Sequence, residues 1–135
     1  MNSRWQPDDF VLFLDRNLGS KIIPDRLRSE GLRIEIHDAH LPNDAPDEAW
    51  IQLVGQKNWI GITGDKRIRY SAPSRAAIEK HKTRIIVMTA TKLRGSERAD
   101  LLLKYHRRLQ HFAANTEPPY LAKLNRSGKI EKEWP

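Results

Sequence analysis

The hydrophobic positions of this chain fall into short continuous runs separated by stretches with helical spacing. Continuous runs near residues 10–14, 59–64 and 84–89, together with an alternating run at 32–36, predict four strands. Runs that are apolar at nearly every position are typical of strands buried on both faces of a parallel sheet. The stretches between them are typical of the crossovers of βαβ units. We therefore expect an α/β fold with a mostly parallel central sheet.

Four helices are expected between and after these strands. Residues 18–29 carry apolar side chains at helical spacing before a glycine stop, although a proline within them is expected to weaken or split the helix. Residues 45–57 carry a second apolar stripe, with Asp44 as the expected N-cap. Residues 74–81 predict a short helix, and Ser96 is expected to cap the long final helix.

The C-terminal tail predicts a hairpin at the edge of the sheet. Two adjacent prolines at 118 and 119 interrupt the helical pattern, and two extended segments follow at residues 120–124 and 129–134. The four residues between these segments are Asn, Arg, Ser and Gly, which favour a turn. The sequence therefore predicts two further paired strands.

Three carboxylates stand where this fold would bring them together. Asp15 and Asp65 each directly follow a predicted buried strand, and ligands bind parallel sheets at the carboxyl ends of their strands. Asp47 lies in the first turn of the intervening helix on the same face as Trp50, whereas Glu48 lies one step round. Three converging carboxylates would repel one another without a hard cation between them. The pattern predicts a Mg²⁺ or Mn²⁺ site, with Glu48 as an alternative ligand.

Structural roles remain open for several of these residues. Aspartate is a common turn or cap residue, so Asp15 and Asp65 could have that role instead of binding a metal. Asp47 could complement the dipole of its helix and have no further role. His37 and His40 are expected in a solvated polar loop, because no further histidine or cysteine completes a metal-ligand set.

Composition favours a polyanionic partner. Twenty-four Lys and Arg against seventeen Asp and Glu give a net charge of +7, which attracts nucleic acid. The absence of cysteine excludes disulfides, thiolate zinc sites and cysteine nucleophiles. The chain contains no apolar stretch of about 20 residues and no apolar core of a signal peptide near Met1. We expect one cytoplasmic domain over residues 1–135 with no membrane association.

Three short segments in a fixed order resemble a known family. Leu-Asp-Arg-Asn-Leu at residues 14–18, Asp-Glu-Ala-Trp at 47–50 and Ile-Thr-Gly-Asp-Lys-Arg-Ile-Arg at 62–69 are similar to the PIN-like domains related to VapC-type toxins. The similarity extends from about residue 10 to residue 120. It implies a three-layer α/β/α fold and a metal-dependent ribonuclease, often a bacterial toxin that an antitoxin protein restrains.

The resemblance also implies particular residue roles. It places the catalytic, metal-binding carboxylates at Asp15, Asp47 and Asp65. PIN nucleases often carry a fourth acidic residue shortly after the third, whereas the residues after Asp65 here are largely basic. This departure leaves open the number of metal ions and the activity itself.

Residues beside the proposed site are expected to contact RNA. Cations after Asp65 would bind phosphates, and an exposed aromatic ring would stack on an unpaired base. The expected RNA-contacting residues are Lys66, Arg67, Arg69, Tyr70, Lys92 and Arg94. Asn17 is expected either to bond a water near Asp15 or to satisfy the turn that follows it. The basic residues Arg107, Arg108, Lys129 and Lys132 are expected to be ordinary surface charges.

The sequence thus predicts a Mg²⁺- or Mn²⁺-dependent endoribonuclease, with an antitoxin and a second copy of the chain as potential partners. The main alternative is a nucleic-acid-binding PIN-like module without turnover. A haloacid-dehalogenase-like phosphatase is disfavoured because Asn17 cannot supply the proton that its second aspartate provides. A response-regulator receiver would need an extra acidic residue beside Asp15, which the chain does not have.

Overall fold

A computed structural model describes residues 10–135, which form a six-stranded sheet with helices on both faces. The strands lie in the order β2-β1-β3-β4-β5-β6; the first five in this order run parallel, and β6 pairs antiparallel with β5. Their bounds are β1 Val11–Leu14, β2 Arg33–Ile36, β3 Ile60–Thr63, β4 Arg84–Met88, β5 Tyr120–Leu124 and β6 Ile130–Trp134. The predicted α/β fold with a mostly parallel sheet is confirmed.

Four α-helices form the two outer layers. Their bounds are α1 Ile22–Ser29, α2 Asp47–Lys57, α3 Ala72–His81 and α4 Gly95–Asn115. Helices α1 and α4 pack in one hydrophobic cluster and α2 and α3 in another. Alternate residues of β1 separate the layers, since Leu12 belongs to the first cluster and Phe13 to the second.

Burial explains why the central strands could be predicted. Every residue of β1, β3 and β4 is buried, because helices cover both faces of these strands. Burying a large aliphatic side chain stabilises the fold by about 1.5–3 kcal/mol, so a run without polar positions is strongly favoured here. The predicted hairpin of β5 and β6 is also present. Its turn is held by Asn125, whose Oδ1 accepts bonds from the backbone nitrogens of Ser127 and Lys129, both at 3.0 Å.

A short 3-10 helix directly follows each of the first three strands. These turns are Arg16–Leu18, His37–Ala39 and Lys66–Tyr70. Asp15 and Asp65 cap the first and third of them by accepting bonds from backbone N–H groups. The turns bend the chain away from the sheet and leave both aspartates at its carboxyl edge.

Three predicted helix starts are wrong. Helix α1 begins at Ile22 instead of residue 18, and Pro24 does not split it, because it lies in the first turn where its missing N–H needs no partner. Pro46 rather than Asp44 precedes α2 as its N-cap, and makes no side-chain bond there. Helix α3 begins at Ala72, two residues before the predicted start at residue 74.

The predicted Ser96 cap of α4 is also wrong. This helix begins at Gly95, and Arg94 is its N-cap residue. Glu97 reaches back to accept a bond from the backbone nitrogen of Arg94 at 2.9 Å. A helix start satisfied in this way needs no serine. Among residues 10–135, no helix is both long and apolar enough to cross a bilayer.

Candidate active site at the carboxyl edge of the sheet

The three predicted aspartates line one pocket. It has a volume of about 330 Å³ and lies where β1, β3 and the first turn of α2 meet. Its lining residues are Asp15, Arg16, Asn17, Asp47, Asp65 and Arg67. Glu48 does not line it and is exposed, although it neighbours Asp47 on the helix.

Asp15 is the buried carboxylate of this pocket. Its Oδ1 accepts a bond from the backbone nitrogen of Arg16 at 2.6 Å, and its Oδ2 accepts one from Thr63 Oγ1 at 2.7 Å. Burial raises the pKa of Asp15, and the negative charge of Asp47 raises it further, while the two hydrogen bonds and the nearby His37 oppose that rise. A cation beside Asp15 would therefore relieve an unfavourable buried charge.

Thr63 links the ends of β1 and β3. Its hydroxyl donates to Asp15 and accepts a bond from the backbone nitrogen of Asp65 at 3.0 Å, and its side chain is fully buried. One hydroxyl thus fixes the relative position of two carboxylates. The sequence showed a threonine before this aspartate but did not predict its role.

Asp47 has the orientation predicted from helical spacing. Its Oδ1 accepts a bond from Nε1 of the fully buried Trp50 at 3.1 Å, one helical turn away. The indole is fixed in the core against Phe13, whose ring lies 5.8 Å away between centroids. The core therefore holds the carboxylate of Asp47 toward the sheet.

Asp65 is occupied by a guanidinium. Arg67 donates from Nε to Oδ1 at 3.1 Å and from Nη2 to Oδ2 at 3.2 Å, and its backbone nitrogen also bonds Oδ1. These contacts lower the pKa of Asp65. The Arg67 side chain is 91% exposed, so the pair is open to solvent and to competing ions.

The donor chemistry of the pocket suits a hard divalent cation. The three acidic residues that line it offer carboxylate oxygens, which Mg²⁺ and Mn²⁺ prefer. Within residues 10–135, no three acidic or histidine side chains stand close enough together to hold an ion. In this arrangement the Arg67 guanidinium bonds both carboxylate oxygens of Asp65.

The predicted RNA-contacting residues after Asp65 point in different directions. Arg67 lines the pocket, whereas Arg69 turns to the hairpin, donating to Glu133 at 3.4 Å and to the carbonyl of Lys66 at 2.9 Å. Tyr70 is 69% exposed, so one face of its ring is available although the guanidinium of Arg69 lies 5.0 Å from its centroid.

The remaining predicted site residues lie beside the pocket or within its wall. Lys92 and Arg94 are exposed and do not line it, and Arg94 binds Glu97. Asn17 does line it, and its Oδ1 accepts a bond from the backbone nitrogen of Gly64 at 3.3 Å. This contact ties the turn after β1 to the loop after β3, and is a different role from the two expected of Asn17.

The prediction of a solvated loop is wrong for His37. Its side chain is buried beside Phe13, with 6.3 Å between ring centroids, and it is among the groups that lower the pKa of Asp15. His37 directly follows β2, so its position at a strand end could have revealed it. His40 bonds Glu35 at 2.6 Å and packs near Trp59.

The sheet is mostly parallel, and Asp15 and Asp65 lie at the carboxyl ends of two neighbouring strands. These features define the class of the protein as an α/β domain with an acidic pocket at the ends of its strands. A family model described as "PIN like domain" matches residues 10–90, and the chain belongs to this family. The chain is also 32% identical over 107 residues to the Mycobacterium tuberculosis (strain ATCC 25618 / H37Rv) protein named "Putative ribonuclease VapC45". That match covers 72% of each chain. No solved structure is significantly similar.

Proposed function

We propose that this protein is an endoribonuclease that hydrolyses RNA phosphodiester bonds, with Asp15, Asp47 and Asp65 holding Mg²⁺ or Mn²⁺. The observation that carries the proposal is that aspartates from three separate elements line one pocket. Membership of the PIN-like family and the similarity to a protein named as a ribonuclease support it.

The protein's own residues prepare this pocket for a cation and an anionic substrate. Thr63 and the backbone of Arg16 fix Asp15, and Trp50 fixes Asp47, so two carboxylates are already oriented. When bound, a divalent ion would supply charge neutralisation at the phosphoryl oxygen and activation of the attacking water. Asp65 becomes available as Arg67 leaves it, and the released guanidinium can then bind a phosphate.

The substrate we infer is single-stranded RNA. The net charge of +7 favours a polyanion as substrate. Tyr70, five residues after Asp65 in the sequence, has an exposed ring. Unpaired bases stack on such rings, whereas a duplex hides its base faces. We place this activity in the cytoplasm.

The biological role we propose is that of a toxin held in check by an antitoxin protein. The VapC name of the relative supports this assignment. A homodimer is a further part of the proposal. Size-exclusion chromatography coupled to light scattering, with and without the product of an adjacent gene, tests both partners.

The activity itself is tested by incubating purified protein with a fluorescent single-stranded RNA in Mg²⁺, Mn²⁺ or EDTA. Cleavage is expected with either metal and not in EDTA. The Asp65→Asn variant should lose it, while Asp44→Asn, an exposed aspartate outside the pocket, should retain it. Equal cleavage by wild type and Asp65→Asn would contradict the assignment.

One observation favours a second candidate, an RNA-binding module without turnover. Asp65 is neutralised by Arg67, and the described residues contain no ready group of three metal ligands. This candidate predicts RNA binding with no cleavage in either metal. The same incubation, read by electrophoretic mobility as well as by product formation, separates the two.

A further inference from the structure

Arg98 of α4 lies over the backbone that joins two site residues. Gly64 separates Thr63 from Asp65, and a Cβ placed on Gly64 would lie 3.1 Å from Nη1 of Arg98, 3.4 Å from Cζ and 3.5 Å from Nη2. Three atoms at similar distances indicate that the flat face of the guanidinium covers this glycine. The lack of a side chain at Gly64 gives Arg98 its place beside the pocket.

The charge of Arg98 is not neutralised by its neighbours on α4. Glu97 binds Arg94, and Asp100 binds Arg26 at 2.6 Å, so both acidic residues of the first turns are already engaged. Across residues 10–135, the Arg98 guanidinium makes no hydrogen bond or ion pair. The positive end of the helix dipole also opposes a cation in this turn.

Such a guanidinium is suited to an anion from outside the chain. It presents five N–H donors in a planar fork that matches phosphate oxygens. The backbone nitrogen of Gly64 donates to Asn17, and the Arg98 guanidinium covers the side of Gly64 where a Cβ would stand. An anion that approaches Gly64 from that side would therefore meet Arg98. Arg98 is not among the residues that line the carboxylate pocket. A phosphate bound to Arg98 would therefore lie next to the carboxylate pocket and not within it.

We propose that Arg98 binds a backbone phosphate of single-stranded RNA adjacent to the one that is cut, and so positions the strand across Gly64. The inference rests on the proposed ribonuclease function and extends it to the path of the substrate. Arg98 is a substrate-positioning residue in this account, since it contacts RNA without contacting the reacting phosphate.

Binding is measured without turnover, by fluorescence anisotropy of a short labelled RNA in EDTA at several KCl concentrations. Arg98→Gln should raise Kd about fivefold, the upper range for one exposed ion pair. It should also reduce the slope of log Kd against log[KCl] by about 0.7, the value for one phosphate contact on a single strand. Arg107→Gln, an exposed cation farther along the same helix, is the matched control and should change neither.

Two more variants separate phosphate binding from a structural role. Arg98→Lys keeps the charge and should retain most of the salt slope. Gly64→Ala keeps Arg98 but places a methyl group against its guanidinium, so RNA binding should weaken there too. Combining Gly64→Ala with Arg98→Gln should weaken binding no more than Arg98→Gln alone, because both changes remove the same contact.

In single-turnover cleavage, Arg98→Gln should raise the RNA concentration needed for half-maximal rate and leave the maximal rate within about twofold. If wild type binds and cleaves RNA while Arg98→Gln matches Arg107→Gln in Kd and salt slope, the inference about Arg98 is wrong and the proposed function stands. If wild type neither binds nor cleaves RNA, both are wrong.

Discussion

Replacing Thr63 with valine tests how the site is held together. The substitution keeps the shape of a fully buried side chain and removes a hydroxyl that serves both Asp15 and the backbone of Asp65. A hydrogen bond to a charged group contributes about 1.5–3 kcal/mol and a neutral one about 0.5–1.5 kcal/mol. Thr63→Val should therefore lower the free energy of unfolding by roughly 2–4 kcal/mol at pH 7.

A matched control exists in Thr83. It is equally buried, and its hydroxyl donates to the neutral carbonyl of Ile51 at 3.0 Å. Thr83→Val should cost only about 1 kcal/mol. Both values come from urea unfolding followed by circular dichroism, with the midpoint and slope fitted for each variant.

The pH dependence gives a second reading of Thr63→Val. The pKa of Asp15 is raised in the folded protein, so its charged form destabilises the fold above that pKa and not below its ordinary value of 3.8. Thr63 opposes this cost by stabilising the charge. The difference between Thr63→Val and wild type should thus be largest at neutral pH and shrink as the pH falls through the native pKa of Asp15.

Combining the change with Asp15→Asn completes the test. Without the charge, Thr63→Val should lose roughly 1–2 kcal/mol of its cost, which is the coupling expected between directly bonded residues. A cost for Thr63→Val equal to that of Thr83→Val, unchanged by pH and by Asp15→Asn, would refute the bridging role.

Three further predictions follow from the contacts of the pocket. Arg67→Gln should destabilise the protein at neutral pH, because Asp65 owes its lowered pKa chiefly to Arg67. The difference should shrink as the pH falls below 3.8 and through the lowered pKa of Asp65; thermal unfolding at several pH values measures this. Millimolar Mn²⁺ should raise the Tm of wild type and raise that of Arg67→Gln further, since Asp65 is then free, but should not raise that of Asp15→Asn. Trp50→Phe should slow RNA cleavage even under conditions where the variant is fully folded, because it removes the donor that orients Asp47 and keeps an aromatic ring in the core. Cleavage rates and unfolding curves measured on the same preparation check this.

The strands could be predicted because burial on both faces leaves a continuous apolar pattern. The position of Asp47 was also accessible, since helical spacing placed it beside Trp50 and the structure shows that bond. The helix starts were less accessible. Pro46 and Arg94 precede their helices without the expected serine or aspartate, so the local residue types gave no signal.

Three features of the site depend on tertiary packing or side-chain orientation that the sequence does not reveal. Arg98 reaches Gly64 only because the fold brings the first turns of α4 close to the loop after β3, and these residues are 34 positions apart. The pairing of Asp65 with Arg67 is local, but the choice of that pair over a phosphate or a metal depends on side-chain orientation. The burial of His37 likewise arises from tertiary contacts with Phe13.

The most direct test of the central claim compares two neighbouring acids of α2. Asp47 lines the pocket and bonds Trp50, whereas Glu48 is exposed outside it, and both occupy the first helical turn. Single-turnover cleavage of RNA in Mn²⁺ should fall roughly 100-fold or more in Asp47→Asn, the scale of losing a positioned catalytic group, and stay near wild type in Glu48→Gln. Full activity in Asp47→Asn with an inactive Glu48→Gln would contradict the account and move the ligand to Glu48.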